Sequence, residues 1–110
     1  MAEVVGVVDI VAASGKGDAL VGAFEACATQ THTEPGCLAY ALHQDNADPD
    51  HFILVERWRS QDDLDDHMTK PWVADLFAFV GTEGNLAAAP ALAFTTNIAK
   101  GDPAKGTLGG

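Results

Sequence analysis

Basic residues are scarce in this chain of 110: six Lys and Arg stand against 16 Asp and Glu, a formal charge of -10. A surface of that sign repels phosphate backbones and anionic lipid headgroups, which excludes nucleic acid and membrane surfaces as partners. Long apolar runs are also missing, since Val4 to Val8 and Leu86 to Phe94 fall well short of the roughly 20 residues a bilayer span needs. No Lys or Arg precedes the apolar stretch after Met1-Ala2-Glu3, which is not the pattern of a secretory signal, so a cytoplasmic location is the expectation. Cysteine is limited to Cys27 and Cys37, with no C-x-x-C and no neighbouring His at metal-ligand spacing. Both are read as reduced packing residues rather than a redox pair.

Metal and nucleophile motifs are lacking as well. The histidines form no i, i+4 pair on a helix, and Asp62, Asp63, Asp65 and Asp66 lack the Gly and Glu of a calcium loop. That acidic cluster is read as a solvated helix face, and no metal site is expected. No Gly-x-Ser-x-Gly turn supports a serine triad.

What is present is a globular composition, 47% hydrophobic and 20% charged, sufficient for one modest core. Glu3 to Ala12 is rich in valine and reads as a strand closed by Ser14-Gly15-Lys16-Gly17. Leu20, Phe24, Cys27 and Ala28 then repeat at helical spacing up to about Thr33, where Glu34-Pro35-Gly36 stops the helix. Cys37 to Gln44 is a second strand, with Leu38, Tyr40 and Leu42 on one face, and His51 to Trp58 a third, joined through a loop over Asp45 to Asp50. Ser60 and Asp63 form a capping box for a helix that aligns Leu64, His67 and Met68. Pro71 starts a second helical segment bearing Trp72, Leu76, Phe79 and Val80. A fourth strand carries Leu92, Phe94, Thr96 and Ile98. Residues 1–100 are thus expected as one domain, with 101–110 a loose tail.

The order predicts an α+β ferredoxin-like βαββαβ fold with a four-stranded antiparallel sheet. In the third strand Phe52, Leu54, Glu56 and Trp58 alternate with Ile53, Val55 and Arg57, so both sheet faces are largely apolar. Helices cover only one face of such a sheet. The other calls for a second, symmetry-related copy, a homodimeric α+β barrel.

Glu34-Pro35-Gly36-Cys37-Leu38-Ala39-Tyr40, then Phe52-Ile53-Leu54-Val55-Glu56-Arg57-Trp58, then Asp63-Leu64-Asp65-Asp66-His67, follow one another along the chain. In these stretches the chain resembles the antibiotic biosynthesis monooxygenase (ABM) family, quinol monooxygenases included, over about residues 3–98. The resemblance implies a compact dimer that oxidises a small quinol or aromatic polyketide-type phenol with molecular oxygen and no cofactor. His67 would be the base; Glu56 and Trp58 would orient the ring or line the pocket. Tyr40 and Trp72 would supply a hydroxyl and an indole donor, and Phe24, Phe77 and Phe94 would form walls.

Read from the residues alone, His67 on an apolar stripe also fits a core histidine, the aromatics fit core or dimer packing, and Glu56 fits a buried ion pair. A non-catalytic dimer that binds a small apolar ligand or serves a stress response therefore stands as the alternative. Haem-degrading relatives carry an Asn on the first strand and an axial His in the second helical region. Here the strand is Val4-Val5-Gly6-Val7-Val8-Asp9 and no His lies at 76–78, so haem chemistry is not expected.

Overall fold

A computed structural model describes residues 2–108 of the chain. Seven elements follow in order: β1 (Val4–Val11), α1 (Gly17–Thr31), β2 (Cys37–Asp45), β3 (Asp48–Trp58), α2 (Gln61–His67), α3 (Pro71–Val80) and β4 (Ala91–Thr95). The strands form one antiparallel sheet in the order β2-β3-β1-β4. This is the ferredoxin-like α+β arrangement that the order of elements predicts. No helix among the described residues is long and apolar enough to cross a membrane.

Alternation sets the two faces of the sheet. Val4, Val8 and Ile10 of β1 stand across from Trp58, Leu54 and Phe52 of β3, and all six are buried beneath the helices. Trp58 and Phe52 are almost wholly enclosed, and each contributes roughly 1.5–3 kcal/mol through its removal from water. Val7 is exposed on the opposite face, beside half-buried Ile53 and Val55, and no helix among the described residues packs there. α1 adds Leu20, Cys27 and Ala28 to the core and packs against both α3 and the β2-β3 half of the sheet.

Three local departures stand apart from the expected elements. The segment expected as a six-residue loop is a tight turn, because the side chains of Asp45 and Asp48 accept from the backbone N–H of Ala47 and Asp50 and let both strands continue. Leu38 does not share a face with Tyr40: a bulge between Cys37 and Ala39 leaves Leu38 outside the ladder and turns it to solvent. The fourth strand ends at Thr95 rather than Ile98, and Ile98 is exposed. Met1 and residues 109–110, assigned above to the domain and its tail, lie outside the described residues. Within 101–108 the Asp102 carboxylate accepts from the backbone N–H of Ala104 and Lys105 in a local turn.

Candidate active site

Ser60 opens α2 from an extended conformation; its hydroxyl accepts from the Asp63 backbone N–H at 3.2 Å and donates to the Asp63 carboxylate at 2.8 Å. The cap fixes where the helix begins and hence which side chains face the sheet. Leu64 and His67, one turn apart, are the buried pair. The chain turns again at Lys70, and Pro71 starts α3 at a position that needs no N–H. An apolar cleft is left between this helix pair and the helix-facing side of β1, β3 and β4.

The polar side chains lining the cleft are Tyr40, Glu56 and His67, Tyr40 paired across the sheet with Glu56 and set edge-on to His67. Val8, Leu54, Val73 and Leu76 line its length. At the mouth Met68, Phe77, Leu92 and Phe94 are each between 43% and 48% exposed. Phe94 lies flat over β1 because Gly6 opposite it has no side chain: a Cβ there would come within 3.0 Å of the ring.

His67 is held from several sides. Its Nδ1 is 2.8 Å from Glu34 Oε2, the Trp58 ring lies at 4.4 Å centroid to centroid, and Tyr40 meets it edge-on at 5.5 Å. Glu34 itself is buried in the turn after α1 and also accepts from the Trp72 indole at 3.1 Å through the same oxygen. Its other oxygen, Oε1, is buried with no hydrogen-bond partner among the described residues. Glu56 accepts from the Trp58 indole at 2.9 Å. Burial pushes the Glu56 carboxyl above the usual carboxylate range, helped by Glu34 and opposed by the Trp58 N–H and by His67. Burial also raises the Tyr40 phenol strongly, with Cys27 and Glu56 adding to it, so this hydroxyl stays protonated at neutral pH.

The candidate residues do not all reach the cleft. Glu56, His67, Tyr40, Phe77 and Phe94 do. Trp58 lies fully buried behind His67 and supports Glu56 rather than lining the space. The Tyr40 ring faces the cleft, while its hydroxyl reaches back to Cys27 Sγ at 3.7 Å. Phe24 stacks on the far side of Tyr40, centroids 5.2 Å apart, and faces a separate groove beside His32 and Gln44. The Trp72 indole N–H is occupied by Glu34, and its ring borders another depression with Ala26 and Cys27. Sequence reasoning named Glu34 as part of a helix stop and as the first residue of the family-like stretch Glu34 to Tyr40, but gave it no role in the site. A carboxylate beside Pro35 and Gly36 between two apolar segments was the local hint.

Such a site offers an imidazole held by a carboxylate, a second carboxyl whose pKa is raised by burial and an apolar-walled cleft. No group of three or more Cys, His, Asp or Glu among the described residues is arranged to hold a metal ion.

Residues 4–78 match the family model described as antibiotic biosynthesis monooxygenase. The chain is 38% identical over 63 residues to Rv0793 of Mycobacterium tuberculosis, whose name assigns it provisionally to the monooxygenases; the match spans 57% of this chain and 61% of that protein. It is 33% identical over 61 residues to the uncharacterized protein sll1783 of Synechocystis, across 56% of this chain and 40% of that one. These matches span less than two thirds of either relative.

Similarity in three dimensions is broader. The crystal structure of PA3566 from Pseudomonas aeruginosa superposes with a TM-score of 0.78 at 28% identity, covering 90% of this chain and 97% of that one. The structure of Rv0793 gives 0.81 at 25% identity, covering 91% and 99%. A family model that takes in β1 through most of α3, hence Glu34, Tyr40, Glu56 and His67 together, settles the kinship: the chain belongs to the antibiotic biosynthesis monooxygenase family.

Proposed function

We propose that the protein is a cofactor-independent monooxygenase acting on a small quinol or polyketide-type phenol. The observation that carries this reading is His67: one ring nitrogen is bonded to buried Glu34 while the ring borders an apolar cleft beside Glu56. His67 takes the hydroxyl proton of the substrate, and the electron-rich ring carbon passes electrons to oxygen. A carbon–oxygen bond forms, giving a hydroperoxide. Its O–O bond then breaks as the ring carbon loses its hydrogen, one oxygen staying as a carbonyl and the other leaving as water. The substrate loses four electrons and two hydrogens, and oxygen takes all of them, so no external reductant enters the balance. The His67 imidazolium returns the proton it took to the departing oxygen, and Glu56, bonded to the Trp58 indole, borders the same space. The apolar walls keep water away from the carbanion.

The uncovered sheet face, with Val7, Ile53 and Val55, is assigned to a second copy of the chain, which completes a barrel. Sedimentation at micromolar concentration is expected to show a dimer, and a monomer would remove this assignment.

The test of the chemistry is oxygen uptake with a panel of hydroquinones and anthrones. We expect turnover with at least one, and about a hundredfold or greater loss in His67→Ala with an unchanged far-UV spectrum. A flat trace from folded protein across the panel refutes the catalytic reading. Ligand-induced thermal stabilisation without turnover would establish the apolar-ligand-binding alternative in its place.

A further inference from the structure

We infer that Glu34 is a positioning residue: its buried carboxylate fixes His67 in the tautomer that carries its proton on Nδ1 and leaves Nε2 as the proton acceptor. The catalytic consequence rests on the monooxygenase reading; the tautomer does not.

Two donors converge on one oxygen. The Trp72 indole can only donate, and it reaches Glu34 Oε2 at 3.1 Å. His67 Nδ1 reaches the same atom at 2.8 Å. An ionised carboxylate only accepts, so Nδ1 must hold the proton and the lone pair of the neutral ring falls on Nε2. That nitrogen has no hydrogen-bond partner among the described residues, and it is not among their buried unpaired atoms, so it keeps access to the cleft the ring borders. Trp58 and Tyr40 pack on the imidazole and block rotation away from Glu34.

The other half of the carboxylate makes the inference specific. Glu34 Oε1 is buried without a partner among the described residues, an expensive state for a group whose role is only to tie the turn to α2 and α3. An apolar contact would make that tie at least as well. Concentrating both donors on Oε2 is what orients a ring. A carboxylate and an imidazole so paired divide the work: the acid sets tautomer and angle and its charge steadies the imidazolium that forms when Nε2 takes the proton, while the ring meets the substrate.

The test uses the full-length protein with 15N-labelled histidine. Nitrogen–proton NMR of the wild type is expected to show His67 protonated at Nδ1 and bare at Nε2. Glu34→Gln keeps a carbonyl acceptor for both donors and removes the charge. It should retain the tautomer and melt no lower than wild type, yet lose about ten- to hundredfold in kcat on the best quinol of the panel, with KM within about twofold. Glu34→Leu removes the acceptor and should release the proton to Nε2. A wild-type ring protonated at Nε2, an unchanged tautomer in Glu34→Leu, or full kcat in Glu34→Gln would each overturn the inference. If Glu34→Leu does not fold, the wild-type spectrum and the Glu34→Gln kinetics still decide. The predicted tautomer in a wild type that turns over no substrate would uphold the positioning and refute the proposed reaction.

Discussion

Replacing Gly36 by alanine puts the geometry of the site under direct strain. A methyl group at Gly36 would overlap Cβ and Cγ of Asp63 and stand 2.6 Å from its Oδ1, where carbon atoms need about 3.5–4 Å. Asp63 has little room to retreat. Its carboxylate holds Arg59 through two bonds of 2.9 Å and takes the Ser60 hydroxyl at 2.8 Å, and it sits in the first turn of α2. Overpacking costs about 1–3 kcal/mol and loss of the Ser60 cap about 1 kcal/mol. Reduced freedom of the unfolded chain returns about 0.4–1 kcal/mol. The net loss is about 2 kcal/mol, a fall in Tm of roughly 10 °C for a domain of this size. Because α2 also carries His67, relief of the clash moves the ring relative to Glu34 across their 2.8 Å bond. A displacement near 1 Å lowers turnover about a hundredfold, far more than the fraction unfolded at 25 °C explains. Thermal unfolding by circular dichroism and oxygen uptake at 25 °C measure the two effects separately. A Gly36→Ala protein with the wild-type Tm and the wild-type rate would show that the turn and α2 are not in tight register.

Two further predictions concern pH. Glu56 has a folded-state pKa above its unfolded value, so its contribution to stability is complete below about 4.3 and is lost as pH rises through the folded value. Glu56→Gln should therefore gain about 0.5–2 kcal/mol at pH 8 and little at pH 4 in urea titrations; parallel curves for the two proteins would contradict this. His51 lies between Asp9, at 2.5 Å, and Asp45, at 2.7 Å, which hold its pKa up to about 9. Its support of the β2-β3 hairpin is complete below about 6.5 and disappears as pH rises through about 9. The urea midpoint should fall between pH 7 and 10 in the wild type and fall less in His51→Asn; an equal fall in both would sink the assignment.

Most of the framework could be read along the chain because each element carries its own period. The alternation of Phe52, Leu54, Glu56 and Trp58 survives intact as the buried face of β3, and Ser60 and Pro71 mark the helix starts where they stand. What escaped are features that neither period nor propensity encodes. The bulge at Leu38 adds one residue to the strand, which no alternation count can place in advance. Glu34 and His67 are 33 positions apart and meet only once β3 and α2 have folded back over the turn. Among the aromatics, helical or strand spacing shows that Phe24 and Trp72 point inward. It does not show that Tyr40 screens the first from the cleft, or that Glu34 takes the indole of the second.

The polar lining of the cleft and its exposed apolar rim belong to different parts of the chain. Tyr40, Glu56 and His67 descend from β2, β3 and α2, whereas Phe77, Leu92 and Phe94 at the entrance come from α3 and β4. On the proposed reading, reactivity and molecular selectivity are separable: changing Phe77 or Leu92 recuts the entrance for bulkier or slimmer guests and leaves Tyr40, Glu56 and His67 in place. A scaffold divided in this way lends itself to redesign for new aromatic compounds, one rim position at a time.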